Sequence, residues 1–134
     1  MKLKKNTIDK IKSLGVGVVY FFGSRSKGNI TSLSDFDIGI VFCESLQLMN
    51  LTEIHPLLYE ILVDEFDIFL DNDLDIVYLQ ETSLSIQHHV ILEGKVIFEI
   101  DPIFRANYEE KTIREYLDFN PIQKTFSSAL LERQ

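Results

Sequence analysis

Two apolar runs, VGVVYFF (residues 16–22) and FDIGIVF (residues 36–42), bracket the polar stretch GSRSKGNITSLSD. Both runs are β-branched and aromatic, and both read as buried strands. The second run breaks its own logic. Asp35 precedes it and Asp37 interrupts it. Side chains two apart on a strand project from one face, so the two carboxylates converge. A pair of anions so placed repels and raises one pKa, and a divalent cation removes that conflict. Mg²⁺ is the expected ion, because it takes hard oxygen ligands, commonly one or two carboxylates plus substrate phosphates.

The first run ends in Gly23-Ser24, where a strand is expected to hand over to a short helix. A glycine there lets a phosphate approach the backbone, and a helix N-terminus supplies free N–H groups. Ser24 adds a hydroxyl donor, and Arg25 and Lys27 add positive charge. Arg25 is favoured slightly over Lys27 as a phosphate contact. An anion cradle and a metal-binding dyad, joined by ten residues, are the equipment of nucleotidyl transfer from a nucleoside triphosphate.

The rest of the chain reads as one domain over residues 1–134, with a core at about 5–100 and C-terminal helices at about 102–133. Ile8, Ile11 and Leu14 recur at helical spacing and predict a helix over 4–14. A helix is expected over about 52–65, with Thr52 as N-cap and Pro56 tolerable only near its first turn. LDIVYLQ is a third strand. SLSIQHHVILEG is a helix capped by Ser83 and stopped by Gly94, and KVIFEI is a short fourth strand. Two helices follow, at about 102–117 and 121–132, hinged at DFNP. The order predicts an α/β (α+β) domain: a small mixed sheet of about four strands flanked by helices.

Hydrophobic residues make up 46% of the chain and charged residues 25%, as in a soluble globular protein. The net charge of −8 argues against direct nucleic-acid binding. Cys43 is the only cysteine, which excludes an intrachain disulfide, suggests a buried small hydrophobe and fits a cytoplasmic setting. The N-terminus lacks the apolar core of a signal peptide, and no apolar run approaches a membrane span.

Gly-Ser, ten residues, then Asp35-Phe36-Asp37 resembles the signature of the nucleotidyltransferase superfamily related to DNA polymerase β, its minimal nucleotidyltransferase (MNT) branch in particular. The resemblance runs from about residue 5 to 133. LDIVYLQETSLSIQHHVILEGKVIFE looks like that branch's third-carboxylate strand, helix, Glu-Gly turn and last strand, and REYLDFNPIQKTFSSALLER like its helical tail. It implies the polymerase β-like fold, a two-metal Mg²⁺ site on Asp35, Asp37 and a third carboxylate, and ATP as substrate. Gly23, Ser24, Arg25 and Ser34 are the implied phosphate-binding residues. Asp75 is the preferred third carboxylate, Asp67 its chief rival, and Asp71 and Asp73 fall in a turn. Tyr78 stands where relatives often have an aspartate and is given no catalytic role.

The branch further implies an antitoxin of a HEPN–MNT toxin–antitoxin pair that transfers AMP to a tyrosine of its HEPN ribonuclease toxin. Two alternatives stand beside it: an antitoxin that neutralises by binding alone, and a nucleotidyltransferase acting on a small alcohol. Blander readings apply elsewhere. DNDLD lacks the glycine and glutamate of a calcium loop. His88 and His89 diverge around a helix and do not chelate together. Phe104, Tyr108, Ile113, Tyr116, Leu117 and Phe119 read as core or interface.

Overall fold

Among the described residues, four strands form one mixed sheet in the order β3-β2-β1-β4, from Val16–Phe22 (β1), Phe36–Phe42 (β2), Leu74–Tyr78 (β3) and Lys95–Glu99 (β4). β1 pairs antiparallel with β2 and with β4, whereas β2 and β3 run parallel. The computed structural model describes residues 2–23, 36–68 and 74–132, with side chains as far as residue 119.

Each face of the sheet is covered. Val19, Phe21, Ile38, Ile40 and Phe42 pack with Ile11 of α1 (Lys5–Ser13) and with Leu58 and Leu62 of α3 (Leu51–Phe66). Val18, Tyr20, Val41 and Leu79 face Val90 of α4 (Leu84–Glu93) and Phe104 and Tyr108 of α5 (Pro102–Glu132). A register shift between Val16 and Val18 turns the start of β1, so Val16 joins the first cluster with Val19.

Local chemistry accounts for most element ends. Ser83 caps α4 by accepting from the Ile86 N–H at 3.2 Å, and Gly94 follows its last turn. The expected cap Thr52 lies inside α3. That helix follows the five-residue α2 (Ser45–Met49) and starts from Asn50, whose carbonyl accepts from the N–H groups of Glu53 and Ile54 at 3.1 and 3.0 Å. Pro56 therefore sits in the second turn. Its missing hydrogen bond is offset by burial of Leu58 and Leu62, both fully enclosed.

Three further expectations need correction. β3 stops at Tyr78, and residues 79–81 form a short 3₁₀ turn. There the Gln80 amide replaces backbone pairing: its Oε1 accepts from the Phe42 N–H at 2.8 Å, and its Nε2 donates to the Phe42 carbonyl at 3.0 Å. Residues 102–132 form one helix, not two hinged at DFNP. A proline inside a helix removes one hydrogen bond and costs about 3 kcal/mol, and the helix continues through it here. Cys43 is only half-buried, with burial pushing its thiol pKa up.

α5 is held to the sheet by polar and apolar contacts. Gly17 leaves a notch that the Phe104 ring fills, and a Cβ there would collide with it. Tyr20 donates to Glu109 Oε2 at 2.7 Å, and Arg105 bridges Glu99 of β4 to Glu109. Tyr108 donates to Gln87 Oε1 at 2.8 Å. His88 stacks on Tyr116 with ring centroids 4.0 Å apart, while His89 is exposed. Leu117 and Phe119, farther along α5, are exposed.

Candidate active site

Gly23 directly follows β1, and its φ of +86° lies in the left-handed region that side chains disfavour. A Cβ at this position would collide with Asp37 Oδ2, so the glycine is what allows the Asp37 carboxylate to lie against the strand end. Asp37 stands opposite Phe22 on β1 and opposite Asp75 on β3. Residues in register on neighbouring strands project from the same face, so the carboxylates of Asp37 and Asp75 are neighbours on the sheet. Asp37 is half-buried and Asp75 exposed. Phe36 and Ile38 point to the opposite face, into the core beneath α3.

The other sequence candidates fall differently. Ser24, Arg25, Lys27, Ser34 and Asp35, with the short helix expected after Gly23, lie outside the described residues, as do Asp71 and Asp73. Asp67 closes α3 in a left-handed conformation, φ 55° and ψ 48°. It lines a cavity of about 540 Å³ with Lys10, Glu60 and Asp64, on the side of α1 and α3. Asp75 and Asp67 thus belong to opposite sides of the sheet. Tyr78 also turns away from the aspartates: it stacks on Phe42, and its hydroxyl lies 2.6 Å from His55 Nδ1. Burial pushes the Tyr78 pKa up to about 12.

Among the described residues, no group of three or more His, Cys, Asp or Glu side chains is assembled that could hold a metal. Asp37 and Asp75 supply two hard oxygen donors in register, with the Asp37 carboxylate lying in the space that a Cβ at residue 23 would need. That donor set fits Mg²⁺, which completes its shell with water and phosphate oxygens. What the motif reading missed is the support under the site, a stack of Phe21, Phe36 and Phe66. Its signal was present in the alternation, which sends Phe36 to the face opposite Asp37.

Carboxylates in register beside a glycine-lined strand end, on a mixed sheet, are features of phosphate-transferring domains. Residues 5–103 match the model of the family described as Polymerase beta, Nucleotidyltransferase, and the chain belongs to that family. It is 30% identical over 111 residues to Protein adenylyltransferase MntA of Aphanizomenon flos-aquae (strain 2012/KM1/D3), covering 81% of this chain and 73% of that protein. The fold is shared with solved structures. One is of a toxin–antitoxin with AMP-PNP, at a TM-score of 0.64 and 23% identity, covering 92% of this chain and 97% of that one. Another is of a tri-AMPylated Shewanella oneidensis HEPN toxin in complex with MNT antitoxin, at a TM-score of 0.56 and 19% identity, covering 95% and 98%. The expected polymerase β-like nucleotidyltransferase fold is therefore the one observed. No helix of the described residues is long and apolar enough to cross a membrane.

Proposed function

We propose that the chain is a Mg²⁺-dependent protein adenylyltransferase, the antitoxin of a HEPN–MNT pair, which moves AMP from ATP to a tyrosine of its cognate HEPN ribonuclease toxin. The observation that carries the reading is the register setting Asp37 beside Asp75, with the Asp37 carboxylate lying against Gly23. The similarity to a protein adenylyltransferase supports the protein acceptor.

In this reading Asp35, Asp37 and Asp75 hold Mg²⁺, which when bound neutralises charge developing on the phosphates and aligns them. Gly23 and Ser24 receive the β- and γ-phosphates, with Arg25 and Ser34 as further donors. The acceptor's phenolic oxygen bonds to the α-phosphorus as the bond from that phosphorus to the bridging oxygen breaks. Pyrophosphate leaves. The phenol's proton passes to Asp75, the more exposed of the two described carboxylates. ATP, Mg²⁺ and an RNA-cutting partner meet in the cytoplasm, which sets the location.

The test uses purified chain and partner with ATP labelled at either the α- or the γ-phosphorus. Label from the α position appears on the partner, label from the γ position does not, and Asp35→Ala plus Asp37→Ala abolishes transfer. Transfer that survives the double substitution contradicts the reading. The net charge of −8 favours one rival, a binding antitoxin holding a basic, RNA-cutting partner. Cellular neutralisation that persists without both aspartates would establish that rival. Transfer to a soluble alcohol with no protein present would establish a small-molecule enzyme.

A further inference from the structure

On the sheet face opposite Asp37, three phenylalanine rings stack. Phe36 lies 5.0 Å from Phe66 and 5.7 Å from Phe21 between ring centroids, and Phe21 lies 6.2 Å from Phe66. The interplanar angles are 20–27°. These separations lie within the range in which aromatic pairs attract beyond their buried area. Phe36 is the residue between Asp35 and Asp37, and Phe21 lies two residues before Gly23. Two members of the stack therefore belong to the strand segments that carry the site.

Phe66 comes from a distant part of the chain, as the last residue of α3. Its own position is pinned. The Asp67 N–H donates to the Asp64 carbonyl at 3.4 Å, and the Ile68 N–H to the Val63 carbonyl at 3.0 Å. Glu65 accepts from the Lys4 backbone N–H at 2.7 Å. Leu3 and Ile68 are buried in the same core. A ring anchored this way presses on β1 and β2 together, where Gly23 and Asp37 meet.

We propose that Phe66 is a positioning residue for the candidate active site: through its stack with Phe36 and Phe21 it holds the start of β2 against the end of β1, and so sets the carboxylates that take the metal. The inference rests on the nucleotidyltransferase reading. Metal-binding side chains must be held within about 0.5 Å, which requires supporting residues that cannot change rotamer. A leucine at 66 fills much of the volume without presenting a flat face to Phe36.

The experiment measures Mn²⁺ binding by electron paramagnetic resonance, with a non-hydrolysable ATP analogue present and no turnover, and then the kinetics of transfer with ATP. Phe66→Leu is expected to weaken Mn²⁺ binding and lower kcat by about tenfold each, the scale seen when groups supporting metal ligands are lost. The KM for ATP should change much less than kcat, and Phe66→Tyr should restore both quantities. Phe66→Met carries the same expectation as Phe66→Leu, should the leucine variant fail to fold. Leu62→Ala is the control: Leu62 is fully buried one turn earlier on α3 and belongs to the same core, but not to the stack. It should lower the melting temperature while leaving Mn²⁺ affinity of the folded protein unchanged. Wild-type Mn²⁺ affinity in Phe66→Leu, or equal weakening in Leu62→Ala, overturns the inference alone. A wild-type chain that binds no Mn²⁺ overturns the nucleotidyltransferase reading and this inference with it.

Discussion

Gly23 and Asp37 are first of all a packing pair. The glycine's positive φ and the collision awaiting any Cβ give Gly23→Ala two separate consequences. The backbone conformation costs about 1–2 kcal/mol for a residue with a Cβ, which a urea titration would detect. The methyl group also displaces the Asp37 carboxylate, and misplacement by about 1 Å is worth roughly a hundredfold in rate. Asp75→Asn should abolish transfer, whereas Asp67→Asn should leave it intact, because asparagine also tolerates the left-handed conformation at the end of α3. Comparing kcat for these two variants settles which carboxylate joins Asp37. The place of Asp37 on a buried strand was legible because strand periodicity is local. The choice between Asp75 and Asp67 was not, because both precede apolar runs and only the β2–β3 register separates them.

Among the elements, α5 carries the clearest test of how the sheet is buttressed. Gly17→Ala drives a methyl group into the Phe104 ring and should destabilise the protein by about 1–3 kcal/mol, as overpacking does. Amide exchange in the docked first half of α5 should rise in the same variant. The four strands and the helices α1, α3 and α4 were readable from apolar patterning and turn residues. The single long α5 was not. A proline preceded by asparagine reads locally as a break, and whether a helix bends or stops depends on what its neighbouring turns gain. The Gln80 clamp on Phe42 was equally invisible, since a side-chain amide standing in for strand pairing leaves no periodic trace.

At the scale of the whole molecule, buried phenols predict an alkaline limit to stability. Burial pushes Tyr78 and Tyr108 up to about 12, and Tyr20 is raised too, by burial and then by its bond to Glu109. An unfolded tyrosine loses its proton near pH 10. Folded pKa values above that mean the native state holds more protons than the unfolded one. Stability from these groups is therefore complete below about pH 10 and is lost as pH rises towards 12. Urea midpoints recorded across that window should fall, and Tyr108→Phe should flatten the fall. At this scale the sequence was most informative about class, because the Gly-Ser and Asp-x-Asp spacing spans two adjacent strands. It was least informative about what meets the site, because the acceptor is proposed to come from another chain. Intact-mass measurement of the HEPN partner, co-expressed with this chain, tests that proposal most directly. The partner should gain one or more AMP masses with the wild-type chain and none with Asp37→Ala. An unmodified partner that the wild-type chain nevertheless neutralises would contradict the account.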